Sequence, residues 1–176
     1  MRNDMKRGYT LIELIIAIGL FALIMMLSSG AYLMMIGLNR QAQGIATGID
    51  NLSFALEAMT RDIRTGSSYC GSSVPPCALS VNPGSFSFKN KDGTAVTYSL
   101  SGSTLMKTIG ATQSALTDPS VTISSLVFYA VGTQPAPTDR EQSRVTITVS
   151  GTVSAGAGKT QSFTVETGAT MRGSDI

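Results

Sequence analysis

Residues 6–39 read KRGYTLIELIIAIGLFALIMMLSSGAYLMMIGLN, and this stretch decides the fold. From Leu14 to Asn39 none of 26 residues is charged, which exceeds the roughly 20 apolar residues that cross a bilayer as a helix. A secretory signal carries a shorter apolar core of about 7–15 residues before its cleavage site, so the run reads as a retained helix. Ahead of it, Arg2, Lys6 and Arg7 stay cytoplasmic under the positive-inside preference, which places the rest of the chain outside. One ionisable residue enters the apolar stretch, Glu13. A charge at the centre of a membrane helix costs about 2.5–3.5 kcal/mol, so by default it marks a function. Near the start of the helix, a carboxylate also suits the first turn, where the macrodipole favours it. Both readings of Glu13 stand at this level.

The remaining composition narrows the chemistry. Of 176 residues only 14% are charged and 43% are hydrophobic, with no Trp and no His; an average soluble domain carries about 25% charged residues. Without imidazole there is no Ser-His-Asp or Cys-His nucleophile and no His-ligated zinc. No convergent acid pair replaces them, so an enzyme is not expected, nor a cofactor. Formal net charge is +2, spread without a basic run, and sequence-specific DNA readout is not indicated.

The stretch Lys6-Arg7-Gly8-Tyr9-Thr10-Leu11-Ile12-Glu13-Leu14 closely resembles the N-terminal signature of class III type IV prepilins and pseudopilins. That signature is a short basic leader ending in Gly, an aromatic first mature residue that is usually Phe and here is Tyr9, a Glu four positions later, and a long apolar helix. The resemblance implies a leader of residues 1–8, cut between Gly8 and Tyr9 by a membrane-embedded prepilin peptidase that also methylates the new amino group of Tyr9. It implies that Glu13 pairs with the positive N-terminus of a neighbouring subunit, and an isolated charge in an apolar core is indeed too costly to leave unmatched. Glycine at position 8 lets a protease approach the backbone closely. The implied partners are the peptidase, other pilin or pseudopilin subunits, an inner-membrane assembly platform, and lipid before assembly. The implied location is a single-pass cytoplasmic membrane protein, then a filament in the periplasm or at the cell surface.

Beyond the membrane run, Met35, Leu38, Ala42, Ile45, Ile49, Leu52, Leu56, Met59 and Ile63 recur in steps of three and four, one apolar stripe along a helix. The helix is expected to stop at about Thr65 with Gly66 as its C′ cap. From Tyr9 it would measure roughly 84 Å at 1.5 Å per residue. Gly30, Gly37, Gly44 and Gly48 each weaken it by about 1 kcal/mol relative to Ala, so local bending or melting is expected. Residues 9–39 read as membrane span and filament core, and 40–66 as an amphipathic half packed on a sheet.

Residues 67–176 read as an extracytoplasmic β-domain. Ser85–Asn90, Thr94–Leu100 and Thr104–Ile109 form a predicted antiparallel meander, and Val121–Ala130, Arg144–Ser150 and Gln161–Thr170 supply three further strands. Gln134-Pro135-Ala136-Pro137 is a loop, and Gly151, Gly156 and Gly158 before Lys159 read as a hairpin turn. The fold class is α+β: a pilin fold, whose long N-terminal helix lays its C-terminal half on an antiparallel sheet. Residues 57–64, 98–105 and 163–172 resemble minor pilins and J-type minor pseudopilins, with Lys107 where such proteins often carry Arg. A retained Glu13 argues against the extreme tip position, whose family members lack it.

Cys70 and Cys77 flank Val74-Pro75-Pro76. In an oxidising compartment a disulfide there would contribute about 2–4 kcal/mol, and no other Cys or His completes a metal site. Asp92, in Lys91-Asp92-Gly93, reads as turn chemistry; Asp139 and Glu141, beside Arg140 and Arg144, read as solvated charge. The rival function is a competence or adhesion pilin whose outer sheet captures DNA or a surface through Lys89, Lys91, Lys107 and Tyr129.

Overall fold

The computed structural model describes residues 8–69, 81–133, 141–156 and 158–172, with backbone alone at 81–83. The order of elements is α1 (Leu11–Thr65), β1 (Val81–Pro83), β2 (Ser85–Lys89), β3 (Ala95–Ser101), β4 (Thr104–Ile109), β5 (Thr112–Ala115), β6 (Val121–Val131), β7 (Arg144–Ser154) and β8 (Thr160–Thr170). The chain divides into two units, one up to Arg40 and one from Gln41 onward.

The first unit contains the apolar part of α1. Its large side chains from Leu11 to Leu38 are exposed, Ile36 excepted as part-buried, because residues of every face of the helix are apolar and none of the described residues covers them. Ser29 satisfies its hydroxyl by donating to the Met25 carbonyl at 2.8 Å, one turn back, the usual answer to a hydroxyl in apolar surroundings.

The second unit holds residues 41–65 of α1 and two four-stranded antiparallel sheets, in the orders β1-β6-β7-β8 and β2-β3-β4-β5. Leu52, Ala55, Leu56, Met59 and Ile63 are buried from the helix side. They join Phe86, Phe88, Val96, Tyr98 and Leu105 of one sheet and Ile123, Leu126, Phe128, Ile147 and Val149 of the other in one core. Strands β6 and β7 bury every second residue over most of their length, the period-two pattern of a sheet with one covered face. Phe86 and Phe128 stack across the two sheets, ring centroids 5.1 Å apart. Gly84, at φ 82°, turns the chain from β1 in one sheet to β2 in the other, a backbone conformation that side chains disfavour.

The predicted meander is present as β2, β3 and β4, and the three later strands as β6, β7 and β8. Four expectations change. Gly66 is not a left-handed cap: the residue with positive φ after α1 is Ser68, at 51°. Gly66 is needed for space, because a Cβ there would lie 2.4 Å from Phe88 Cδ2. Gly151 is not in a turn but in β7, opposite the irregularity between Ile123 and Ser125; a Cβ on it would meet the Thr122 carbonyl oxygen at 2.2 Å. The hairpin turn lies beyond it, closed by the Ala155 N–H donating to Lys159 O at 2.7 Å. Gly44 and Gly48 leave α1 unbroken; they form a notch that admits the end of β7, a Cβ on Gly48 falling 2.0 Å from Val153 Cγ1. Ile49, on the predicted stripe, is 47% exposed, at the edge of the covered face. Cys70, Cys77, the Gln134–Pro137 loop, Asp139 and Arg140 lie outside the described residues.

Gly66→Ala in the full-length chain in detergent is expected to lower the unfolding free energy of the second unit by about 1–3 kcal/mol through overpacking. Gly30→Ala, with nothing within 4 Å of its added Cβ, should leave it unchanged; denaturant unfolding of both variants checks the contrast.

Candidate functional site

The N-terminal end of α1 is built by Thr10. Its hydroxyl accepts from the Glu13 N–H at 3.3 Å and its carbonyl accepts from the Leu14 N–H at 3.2 Å, which makes Thr10 the N-cap of the helix and Glu13 its third residue. The T-x-x-E spacing in residues 10–13 was legible as a capping signal and the sequence reading passed over it, starting the helix at Tyr9. Ahead of the cap, Gly8 and Tyr9 are outside the helix; Gly8 has nothing within 4 Å of its Cβ position and Tyr9 is 87% exposed. The Gly8–Tyr9 peptide bond thus lies in open, non-helical chain directly before a capped helix. Glu13 is exposed in the first turn, and among the described residues its carboxylate has no ion-pair partner. α1 is long and apolar enough to cross a membrane, and its most apolar window is uncovered.

The other end of α1 is fastened to the sheets by polar contacts. Asp62 Oδ2 accepts from the Tyr98 hydroxyl at 2.7 Å and is the ion-pair partner of Lys107 Nζ. Lys107 also lies 5.9 Å from the centroid of the Tyr98 ring. Burial, then the hydrogen bond to Asp62 and its charge, hold the Tyr98 phenol far above its usual range. The Ile63 carbonyl accepts from both the Gly66 N–H, at 3.1 Å, and the Tyr69 hydroxyl, at 2.6 Å. Ser67 and Lys89 exchange backbone hydrogen bonds at 2.8 Å, which sets the chain leaving the helix against β2. The loop before β6 is tied in as well, the Asp118 N–H donating to Asn51 Oδ1 at 3.0 Å. The Ser120 N–H, donating to Asp118 Oδ1 at 2.9 Å, holds the Asp118 carboxyl below its ordinary value.

This geometry divides the four residues grouped as a polymer- or DNA-binding surface between the two sheets. Lys107 is committed to Asp62. Lys91 and Lys107 line one pocket, together with Asp62 and Asp92. Lys89 ends β2, while Tyr129 belongs to β6 of the other sheet. Asp92 takes part in the expected turn, its N–H donating to Asn90 Oδ1 at 3.0 Å. Among the described residues no group of three or more His, Cys, Asp or Glu is placed to hold a metal ion.

Residues 3–29 match the family model for the prokaryotic N-terminal methylation motif. No curated protein and no solved structure matched the chain. The match covers Gly8, Tyr9, Thr10 and Glu13, and with the long apolar helix behind them the N-terminus fits a type IV prepilin-like protein. The α+β architecture, one long N-terminal helix with antiparallel sheets, is consistent with the pilin fold.

The Tyr98 phenol carries a definite pH signature. Below about pH 10 the phenol is protonated in both folded and unfolded chains and its contribution is complete. Above that the unfolded phenol ionises while the folded one keeps its proton, so stability falls as pH rises. Tyr98→Phe should flatten this alkaline loss, and at neutral pH should cost about 1.5–3 kcal/mol for the hydroxyl bond to a carboxylate. Denaturant unfolding at neutral pH and above pH 10, wild type against variant, measures both.

Proposed function

We propose that this chain is a structural subunit, a minor pilin or pseudopilin, of a type IV pilus or type II secretion-like filament. Residues 1–8 are a leader that prepilin peptidase removes between Gly8 and Tyr9, methylating the Tyr9 amine. Residues 9–39 hold the subunit in the cytoplasmic membrane and then become filament core. Residues 40–66 carry the outer domain, and 67–176 lie outside the membrane. The observation that carries this reading is the juxtaposition at one helix end. An open Gly8–Tyr9 bond precedes a capped helix whose first-turn carboxylate has no ion-pair partner, and whose apolar faces have no cover, among the described residues. In lipid that helix is solvated; in a filament, neighbouring helices replace the lipid.

Glu13 then has a definite task. The trimmed Tyr9 of a neighbouring subunit presents an amine, and pairing it with Glu13 removes two uncompensated charges from an apolar surrounding while fixing the axial register of the two helices. Peptidase recognition needs the leader and Gly8, whereas assembly needs Glu13, so the two steps separate by mutation.

Co-expression of the full chain with a prepilin peptidase is expected to shift it to the smaller mature form. Gly8→Val should leave the precursor intact. Glu13→Ala should be trimmed normally and yet fall about tenfold or more in sheared filament fractions, the consequence of leaving a buried charge unpaired. Normal filament incorporation of Glu13→Ala would contradict its pairing role, and an untrimmed wild-type chain would contradict the reading as a whole.

A further inference from the structure

The face of α1 turned away from the sheets is ordered in charge. Asp50, Phe54, Glu57, Arg61 and Arg64 follow steps of four, three, four and three, which at 3.6 residues per turn confines them to a sector of about 80°. That sector is diametrically opposite the buried Leu52, Leu56, Met59 and Ile63. All five are exposed. Acid stands at the membrane-proximal end, base at the far end, and between them Phe54 is 67% exposed.

At the basic end the chain adds a third arginine from a different element. The Arg172 N–H, just after β8, donates to the Arg64 carbonyl at 3.0 Å. Arg172 thereby joins Arg61, Arg64, Glu57, Thr60 and Thr65 around a pocket of about 260 Å³. Among the described residues its lining carries three guanidinium groups and one carboxylate. Glu57 and Arg61 have the spacing that favours an intrahelical pair, yet among the described residues none of the three arginines forms an ion pair. Arginine's planar fork suits a carboxylate delivered from outside better than a lysine would. The chain carries such a carboxylate on the same stripe, in Asp50, roughly 19 Å below the midpoint of Arg61 and Arg64 at 1.5 Å per residue.

We propose that this stripe is a head-to-tail contact between copies of the chain, in which Asp50 of one copy enters the Arg61–Arg64–Arg172 pocket of the next and Phe54 is covered between them. The proposal rests on the assembly reading and adds to it a second contact outside the membrane half. The two ends are complementary and not identical, so the contact is heterologous. Exposed Phe and clustered Arg are residue types enriched at protein interfaces.

The test places photoreactive p-benzoylphenylalanine at position 54 of the full chain, co-expressed with peptidase and its filament machinery, and irradiates the cells. The expected product is an adduct of two copies of this chain. Asp50→Lys alone, or Arg61→Glu with Arg64→Glu, should reduce it by about fivefold or more, the scale of one close charge pair. Co-expressing the two oppositely charged variants should restore it, since each then offers the end the other lacks. If trimming and filament incorporation are normal but no chain–chain adduct forms, or the adduct joins only a different subunit, the proposal is overturned. It is equally overturned if the adduct ignores the charge reversals or is not restored by the mixed variants. Failure of the assembly reading looks different, since the chain then stays untrimmed or out of filaments with its natural charges.

Discussion

The structure depends on how α1 disposes of its apolar surface. From Leu52 to Ile63 that surface is one stripe buried against the two sheets, with Ala55, Met59 and Ile63 at 0% exposure. Burial of such side chains is worth about 1.5–3 kcal/mol each, enough to hold a helix that contains Gly44 and Gly48. Before Arg40 the same helix is apolar on every face, and its most apolar window is uncovered among the described residues. A single element therefore has one half satisfied within the molecule and one half that requires lipid or other helices.

The details around α1 serve that division. Where the helix is covered, glycines mark close approach: Gly44 and Gly48 beneath the end of β7, and Gly66 beneath Phe88. The polar clamp of Asp62, Tyr98 and Lys107 fixes the last turns to β3 and β4. Where the helix is uncovered, the polar devices are local to it, Thr10 capping its first turn and Ser29 bonding back to Met25. The carboxylates and guanidinium groups left over, Glu13 at one end and the Asp50-to-Arg172 stripe at the other, are those for which other molecules supply partners in our reading.

Much of this was legible in the residues. The apolar run of 14–39, the steps from Leu52 to Ile63 and the alternation of Val145, Ile147 and Val149 each carry the periodicity of one kind of element, and each formed it. What escaped notice had weak local signals or depended on distant chain. β5 is exposed throughout, so its residues show no alternation, and β1 is a three-residue strand ending in Pro83. β7 continues past Ser150 because the irregular pairing near Ser124 accommodates Gly151, a fact invisible without β6. Lys107 read as a surface cation, and its engagement by Asp62 joins residues 45 positions apart. The Gly8, Tyr9 and Glu13 arrangement was the most readable part of the candidate site, because its chemistry is confined to consecutive residues. The arginine pocket was the least readable, since Arg172 reaches it only through the course of β8.

The central claim is that the apolar helix is released from a leader in order to pack among its own kind, and the mature N-terminus tests it most directly. Mass analysis of the protein recovered from its native membrane or filaments is predicted to find a chain beginning at Tyr9 with one added methyl group on the amine. A mature chain that still begins at Met1 or Arg2 would contradict the account.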